Sequence, residues 1–215
     1  MNLRNYFGEF IGTFAMVFCG TGAMVINQEF GGVISHAGVA MTWGLIVASM
    51  IFALGDVSGA HMNPAVTLSF AITKRFPKRE VLPYVGAQFV GAIAASLLLK
   101  MLFAENRTLG STIPAGTDAQ SFILEVLLTM ILVMVIFNVS TGAREKGITA
   151  AIAIGSVVGL EAMFAGPVCG ASMNPARSLA PALVSGNIDK VWIYILAPII
   201  GAFLGAGIHQ ILYKK

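Results

Sequence analysis

SGAHMNPAVTL at 58–68 and CGASMNPARSL at 169–179 decide the reading of this chain. Each holds an Asn-Pro-Ala: Asn63, Pro64 and Ala65 in the first copy, Asn174, Pro175 and Ala176 in the second. An asparagine followed by a proline is a helix start. The amide caps free N–H groups, and proline fits the first helical position, where no N–H is needed. Gly59 and Gly170 permit a sharp entry just before each start. The helices that follow are short. The apolar pieces 64–72 and 175–184 are about half the ~20 residues that cross a bilayer.

Around these two starts the chain is oily. Of its 215 residues 57% are apolar and only 11% charged, where a soluble domain carries roughly 25% charged residues. This is a membrane composition, and its length allows one domain. A net charge of +3 gives no argument for nucleic acid. Cys19 and Cys169 form neither a disulfide framework nor a metal-ligand set, and read as small apolar residues. Stretches near 6–26, 35–55, 82–103, 121–139, 147–165 and 190–212 are each long enough to span. The first lacks the short core and cleavage site of a signal peptide and is expected to remain in the protein. Lys74, Arg75, Lys78 and Arg79, Arg144 and Lys146, Arg4, Lys214 and Lys215 all fall on one side if six spans alternate. Lys190, Arg107 and Lys100 fall on the other. Both termini are therefore expected to be cytoplasmic.

The halves repeat each other. Glu9 and Thr13 recur as Glu125 and Thr129, DVSGAHMNPAVT at 56–67 as PVCGASMNPARS at 167–178, and AQFVGAIAA at 87–95 as APIIGAFLG at 197–205. Each unit holds three spans and one half-helix. Three is odd, so the second unit enters the membrane inverted. The expectation is an all-α membrane protein, one domain over 1–215, with six transmembrane helices and two re-entrant half-helices in an inverted repeat (about 1–110 and 117–215). The half-helices then enter from opposite faces and meet N-terminus to N-terminus near the midplane. Each start carries about half a positive charge, so cations, hydronium included, are repelled. An uncharged hydroxyl compound meets asparagine donors and free carbonyls of 59–62 and 170–173. Gly8-x-x-x-Gly12, Gly155-x-x-x-Gly159 and Gly201-x-x-x-Gly205 read as close-packing devices. Asp56, Glu161 and Arg144 read as solvated span ends. No nucleophile–base pair, phosphate loop or metal cluster supports an enzyme, and no cofactor is expected.

The paired Asn-Pro-Ala motifs, the paired E-x-x-x-T and the GAHMNPAVT and NPARS contexts resemble the aquaporins, the major intrinsic proteins, over essentially the whole chain. The resemblance implies passive conduction, usually by a homotetramer with one pore per copy. It implies that Glu9 and Glu125 hold the re-entrant loops, and that Arg177 donates to solute at an outer constriction. The other three filter positions then fall on Trp43, Ala162 and Ala171. His61, Ala60, Met62, Gly170 and Ser172 are expected to line the pore. A bland role for Arg177 would be an ion pair with Glu161 or Asp189. Tryptophan with two alanines looks most like the nodulin-26-like subgroup, including its bacterial relatives. This implies a slot for water, glycerol, small amides and neutral metalloid acids. Ser178 and the small Ala171 depart from the plain glycerol-facilitator pattern. A water-selective channel and an ion-coupled secondary transporter are the alternatives. A prokaryotic inner membrane is the expected location.

Overall fold

The computed structural model describes residues 3–140 and 146–213, so Arg144, Lys214 and Lys215 of the charge pattern lie outside the described residues. Those residues form eight α-helices: α1 (Leu3–Glu29), α2 (Ser35–Ser58), α3 (Pro64–Ile72), α4 (Val81–Leu102), α5 (Asp118–Val139), α6 (Lys146–Cys169), α7 (Pro175–Ser185) and α8 (Val191–Tyr213). A short 3-10 turn, Lys78–Glu80, leads into α4. Six of the helices are long and apolar enough to cross a membrane. Large side chains such as Leu45, Phe52, Val90, Leu97, Ile152 and Leu204 are exposed along them. Water would reject such a surface and lipid accepts it. The chain is an integral, multi-pass membrane protein.

The expected spans and half-helices are all present, and most helices run past the apolar windows. α6 continues to Cys169 through Pro167, and α8 carries Pro198 inside it. In lipid the unpaired backbone of a broken helix is costly, so the helix persists across proline where neighbours compensate.

Glycine seams bring the helices together. A Cβ at Gly44 of α2 would lie 2.7 Å from the Gly155 carbonyl oxygen of α6. Gly201 and Gly205 of α8 sit against the α5 backbone at Val126 and Met130, and Gly91 of α4 against Phe10 of α1. Gly8 and Gly12 face Ser58, Leu54 and Met62. With no hydrophobic drive between helices in lipid, such backbone contact supplies the attraction. The half-helices are exchanged between halves: α3 packs on α8 as well as α4, and α7 on α4 as well as α8.

Candidate functional site

Both half-helices start as their sequences require. Asn63 is extended (φ −155°), and its side chain accepts from the Ala65 N–H. Asn174 accepts from the N–H groups of Ala176 and Arg177. Pro64 and Pro175 take the first helical positions. The starts face each other. Asn63 Nδ2 donates to the Met173 carbonyl at 2.7 Å, and Asn174 Nδ2 to the Met62 carbonyl at 2.8 Å. Each amide has two hydrogens, so Asn63 keeps one without a protein partner among the described residues, and Asn174 sets its second against Met16 Sδ at 3.9 Å. The Met62 and Met173 carbonyls, expected to be free acceptors, are instead used in this cross-link. Among the described residues, no hydrogen bond is made to the carbonyls of Gly59, Ala60, His61, Gly170, Ala171 or Ser172.

The loops that aim the helices are strained in matching places. Gly59 and Gly170 have φ of 87° and 86°. Ala60, Met62, Ala171 and Met173 also have positive φ, between 42° and 53°. A non-glycine residue there costs about 1–3 kcal/mol and survives only where its surroundings over-determine it. Two buried carboxylates do so. Glu9, 0% exposed, accepts from the N–H groups of His61 (2.9 Å) and Met62 (2.8 Å), from Ser58 Oγ (2.7 Å) and from Gln88 Nε2 (2.7 Å). Glu125 accepts from the N–H groups of Ser172 (2.7 Å) and Met173 (2.8 Å).

A cavity of about 690 Å³ runs past the junction. Asp56, Phe52 and Ser140 border one end, and Trp43, Ala162, Ala171 and Arg177 the other. Ala60, His61, Met62, Ser172 and both asparagines also line it. His61 stacks on Phe70 (4.9 Å between centroids) and its Nδ1 pairs with Thr67 Oγ1 at 3.1 Å. Gly170 does not line the cavity. It ends α6 in the left-handed conformation, and its α-carbon faces Thr112. Pro64, Ala65, Pro175 and Ala176 lie behind the wall, buried in the half-helix starts.

Arg177 is 2% exposed. Nη1 donates to the Gly110 carbonyl (3.0 Å), Nη2 contacts Met24 Sδ (3.3 Å), and Cζ lies 4.7 Å from the Trp43 ring centroid. No ion pair with Glu161 or Asp189 forms among the described residues. Glu161 corrects a second expectation. It is no solvated span end but 2% exposed, with no hydrogen-bond partner on either oxygen among the described residues. Asp56 is exposed at the cavity mouth, as expected.

Several contributors were not picked out from sequence. Gln88 and Tyr84 brace the first loop, and Tyr84 donates to the Ser58 carbonyl at 2.8 Å. Gln88 left a signal, as an amide in mid-span. Gly110 and Thr112 left none, because they lie in the polar 103–117 connection, whose path only the fold defines.

The sequence pattern described as Major intrinsic protein matches residues 1–209. The chain belongs to the major intrinsic protein family. Nodulin-26 of Glycine max is 44% identical over 98% of this chain and 78% of its own length. Aquaporin NIP1-1 of Oryza sativa subsp. japonica is 44% identical over 98% and 74%. The X-ray structure of the aquaglyceroporin from Plasmodium falciparum superposes with a TM-score of 0.83 at 25% identity, over 97% of this chain and 95% of that one. The expected likeness to nodulin-26-like aquaporins therefore holds, and this major intrinsic protein is of a channel family, not an enzyme. The two sequence relatives named are plant proteins, so the expected prokaryotic inner membrane finds no support.

Proposed function

We propose that this major intrinsic protein conducts water and small uncharged solutes passively, glycerol, small amides and neutral metalloid acids among them, and excludes ions and protons. The observation that carries the reading is the face-to-face pair of half-helix starts on the cavity wall. Two starts supply about half a positive charge each, and Arg177 adds a full one. A cation would give up its hydration facing three positive sources in a low-dielectric wall. A hydroxyl compound exchanges water hydrogen bonds for the asparagine amides, one of them set only against a weak sulfur acceptor, and the loop carbonyls.

The size range rests on the outer end. Ala162 and Ala171 leave volume opposite Arg177, and the Trp43 ring offers an apolar face to a carbon backbone. An apolar wall with a few placed polar groups orients a small ligand. In this reading Trp43, Ala162, Ala171 and Arg177 are the filter, His61, Ala60, Met62 and Ser172 line the path, and Glu9 and Glu125 support the loops. The chain is one domain of two inverted repeats with cytoplasmic termini. The exposed Lys74, Arg75, Lys78 and Arg79 at one end support that orientation. The family resemblance extends the reading to a homotetramer with one pore per copy.

Stopped-flow light scattering on proteoliposomes tests this. Under a glycerol gradient the vesicles should re-swell faster than empty ones, and no proton current should appear under an applied potential. Fast water with glycerol no faster than in empty vesicles would refute the solute range.

A further inference from the structure

Four positions on α2, α6 and the second half-helix segment leave α1 out of the outer constriction, but the geometry brings it in. We infer that α1 positions this constriction from behind its wall: Gly20 determines where the Trp43 ring lies, and Met24 holds the Arg177 guanidinium. This rests on the proposed role of Trp43 and Arg177 as the filter.

Gly20 is buried, with the indole seated against it. A Cβ at Gly20 would lie 2.5 Å from Trp43 Cδ2 and closer still to Cε3 and Cζ3. The indole is rigid, so it cannot yield by bending; any side chain at Gly20 must displace the whole ring. Trp43 packs on α1 and borders the cavity, so displacement from α1 carries the ring into the passage. The same ring carries the Arg177 guanidinium over its face at 4.7 Å.

Arg177 is tied to the same helix. Its Nη2 contacts Met24 Sδ at 3.3 Å, one turn beyond Gly20. Its Nη1 donates to the carbonyl of Gly110, whose α-carbon rests against Thr21 of α1. Gly20, Thr21 and Met24 thus hold the aromatic wall and the donor, and so the width of the slot between them. Gly20 and Met24 are positioning residues; they act on solute through Trp43 and Arg177.

The test measures the ratio of glycerol to water permeability in proteoliposomes loaded with equal amounts of folded protein. A ring displaced into the slot obstructs glycerol more than the smaller water molecule. Gly20→Ala should therefore lower the ratio at least about fivefold, which is about 1 kcal/mol of relative barrier. Trp43→Phe gives back the room, so Gly20→Ala in that background should leave the ratio within about twofold of Trp43→Phe alone. Met24→Leu adds no volume and should also lower the ratio, which keeps the inference open to test if Gly20→Ala fails to fold. An unchanged ratio in folded Gly20→Ala and Met24→Leu would overturn the inference. So would an equal loss from Gly20→Ala whether residue 43 is Trp or Phe. Trp43→Ala separates the two claims. If it leaves the ratio unchanged, the filter assignment itself fails. If it shifts the ratio while the α1 variants do not, only the role of α1 fails.

Discussion

Replacing the two supporting glutamates should give unequal losses with leucine and equal losses with glutamine. Glu9 accepts from two backbone N–H groups, a hydroxyl and the Gln88 amide, whereas Glu125 accepts from two backbone N–H groups. Leucine nearly fills the space, keeps water out and accepts nothing. Each buried donor left unmet costs about 1–3 kcal/mol. Glu125→Leu strands two, for about 2–6 kcal/mol. Glu9→Leu strands the same number plus a hydrogen of Gln88, with the Ser58 hydroxyl left to rotate to another acceptor, for about 3–9 kcal/mol, a large share of an ordinary 5–15 kcal/mol stability. Glutamine behaves differently. At Glu9 the Ser58 hydroxyl can turn to accept from the new amide, or Gln88, whose Oε1 has no partner, can flip to do so. Either way one backbone N–H is stranded, as in Glu125→Gln, and both glutamine variants should lose about 1–3 kcal/mol. For a chain of this size 1 kcal/mol moves a thermal midpoint by about 2–4 °C. Midpoints in detergent, with water permeability per folded copy, should rank Glu9→Leu below Glu125→Leu and both below the two glutamine variants, which coincide. A Glu9→Leu protein with wild-type midpoint and permeability would refute the reasoning, because the strained loop would then need no acceptor.

Asn174→Ala should be more destabilising than Asn63→Ala, since Asn174 caps two amides and Asn63 one. Cap loss alone is about 0.5–2 kcal/mol, and paired thermal midpoints would rank them. Ala171→Phe should cut glycerol flux more than water flux in the same vesicles, whereas equal loss of both would place Ala171 outside the filter. Asp118→Ala breaks a half-exposed ion pair with Lys190; such pairs contribute about 0–1 kcal/mol, so midpoint and permeability should stay near wild type. Gly44→Val should prevent a monodisperse preparation on size exclusion, because α2 and α6 touch through backbone there.

How much was legible in the sequence follows from whether a residue acts locally or across the chain. Asn63 and Pro64 act on the turn they begin, so the half-helix starts could be read directly. Internal repetition made Glu9 and Glu125 a pair before either had a visible partner. Trp43 and Arg177 were placed by resemblance, and the cavity wall contains both. That Gly170 lies off the cavity is not legible in the sequence, because a loop's outline does not say which side of its backbone faces the passage. That Glu161 is not solvated is not legible either, because polarity near a span end does not say which face of the helix carries it. One helical step from Ala162, it is turned into the protein rather than toward water. The 103–117 connection was opaque, since its role lies in what it crosses.

The repeat also shows where the halves stop being equivalent. Tyr84 and Gln88 of α4 correspond to Tyr194 and Pro198 of α8, and Ser58 to Cys169. The first loop therefore has a hydroxyl and an amide feeding its carboxylate and a tyrosine on its carbonyl. The second has a thiol, a proline and a tyrosine hydroxyl without a partner among the described residues. What the second half lacks in side chains, the 103–117 connection supplies. Thr112 Oγ1 donates to Ser178 Oγ at 2.8 Å, the Ala115 N–H to the Val168 carbonyl at 3.0 Å, and Gly110 takes Arg177. Arg177 itself stands where the first half has Val66, which also lines the cavity. A duplicated frame thus acquires a direction. One end keeps a ring-lined mouth held by buried side chains. The other spends its polar contacts on an arginine, and the connection that holds this arginine rests on α1, the helix against which Trp43 is seated.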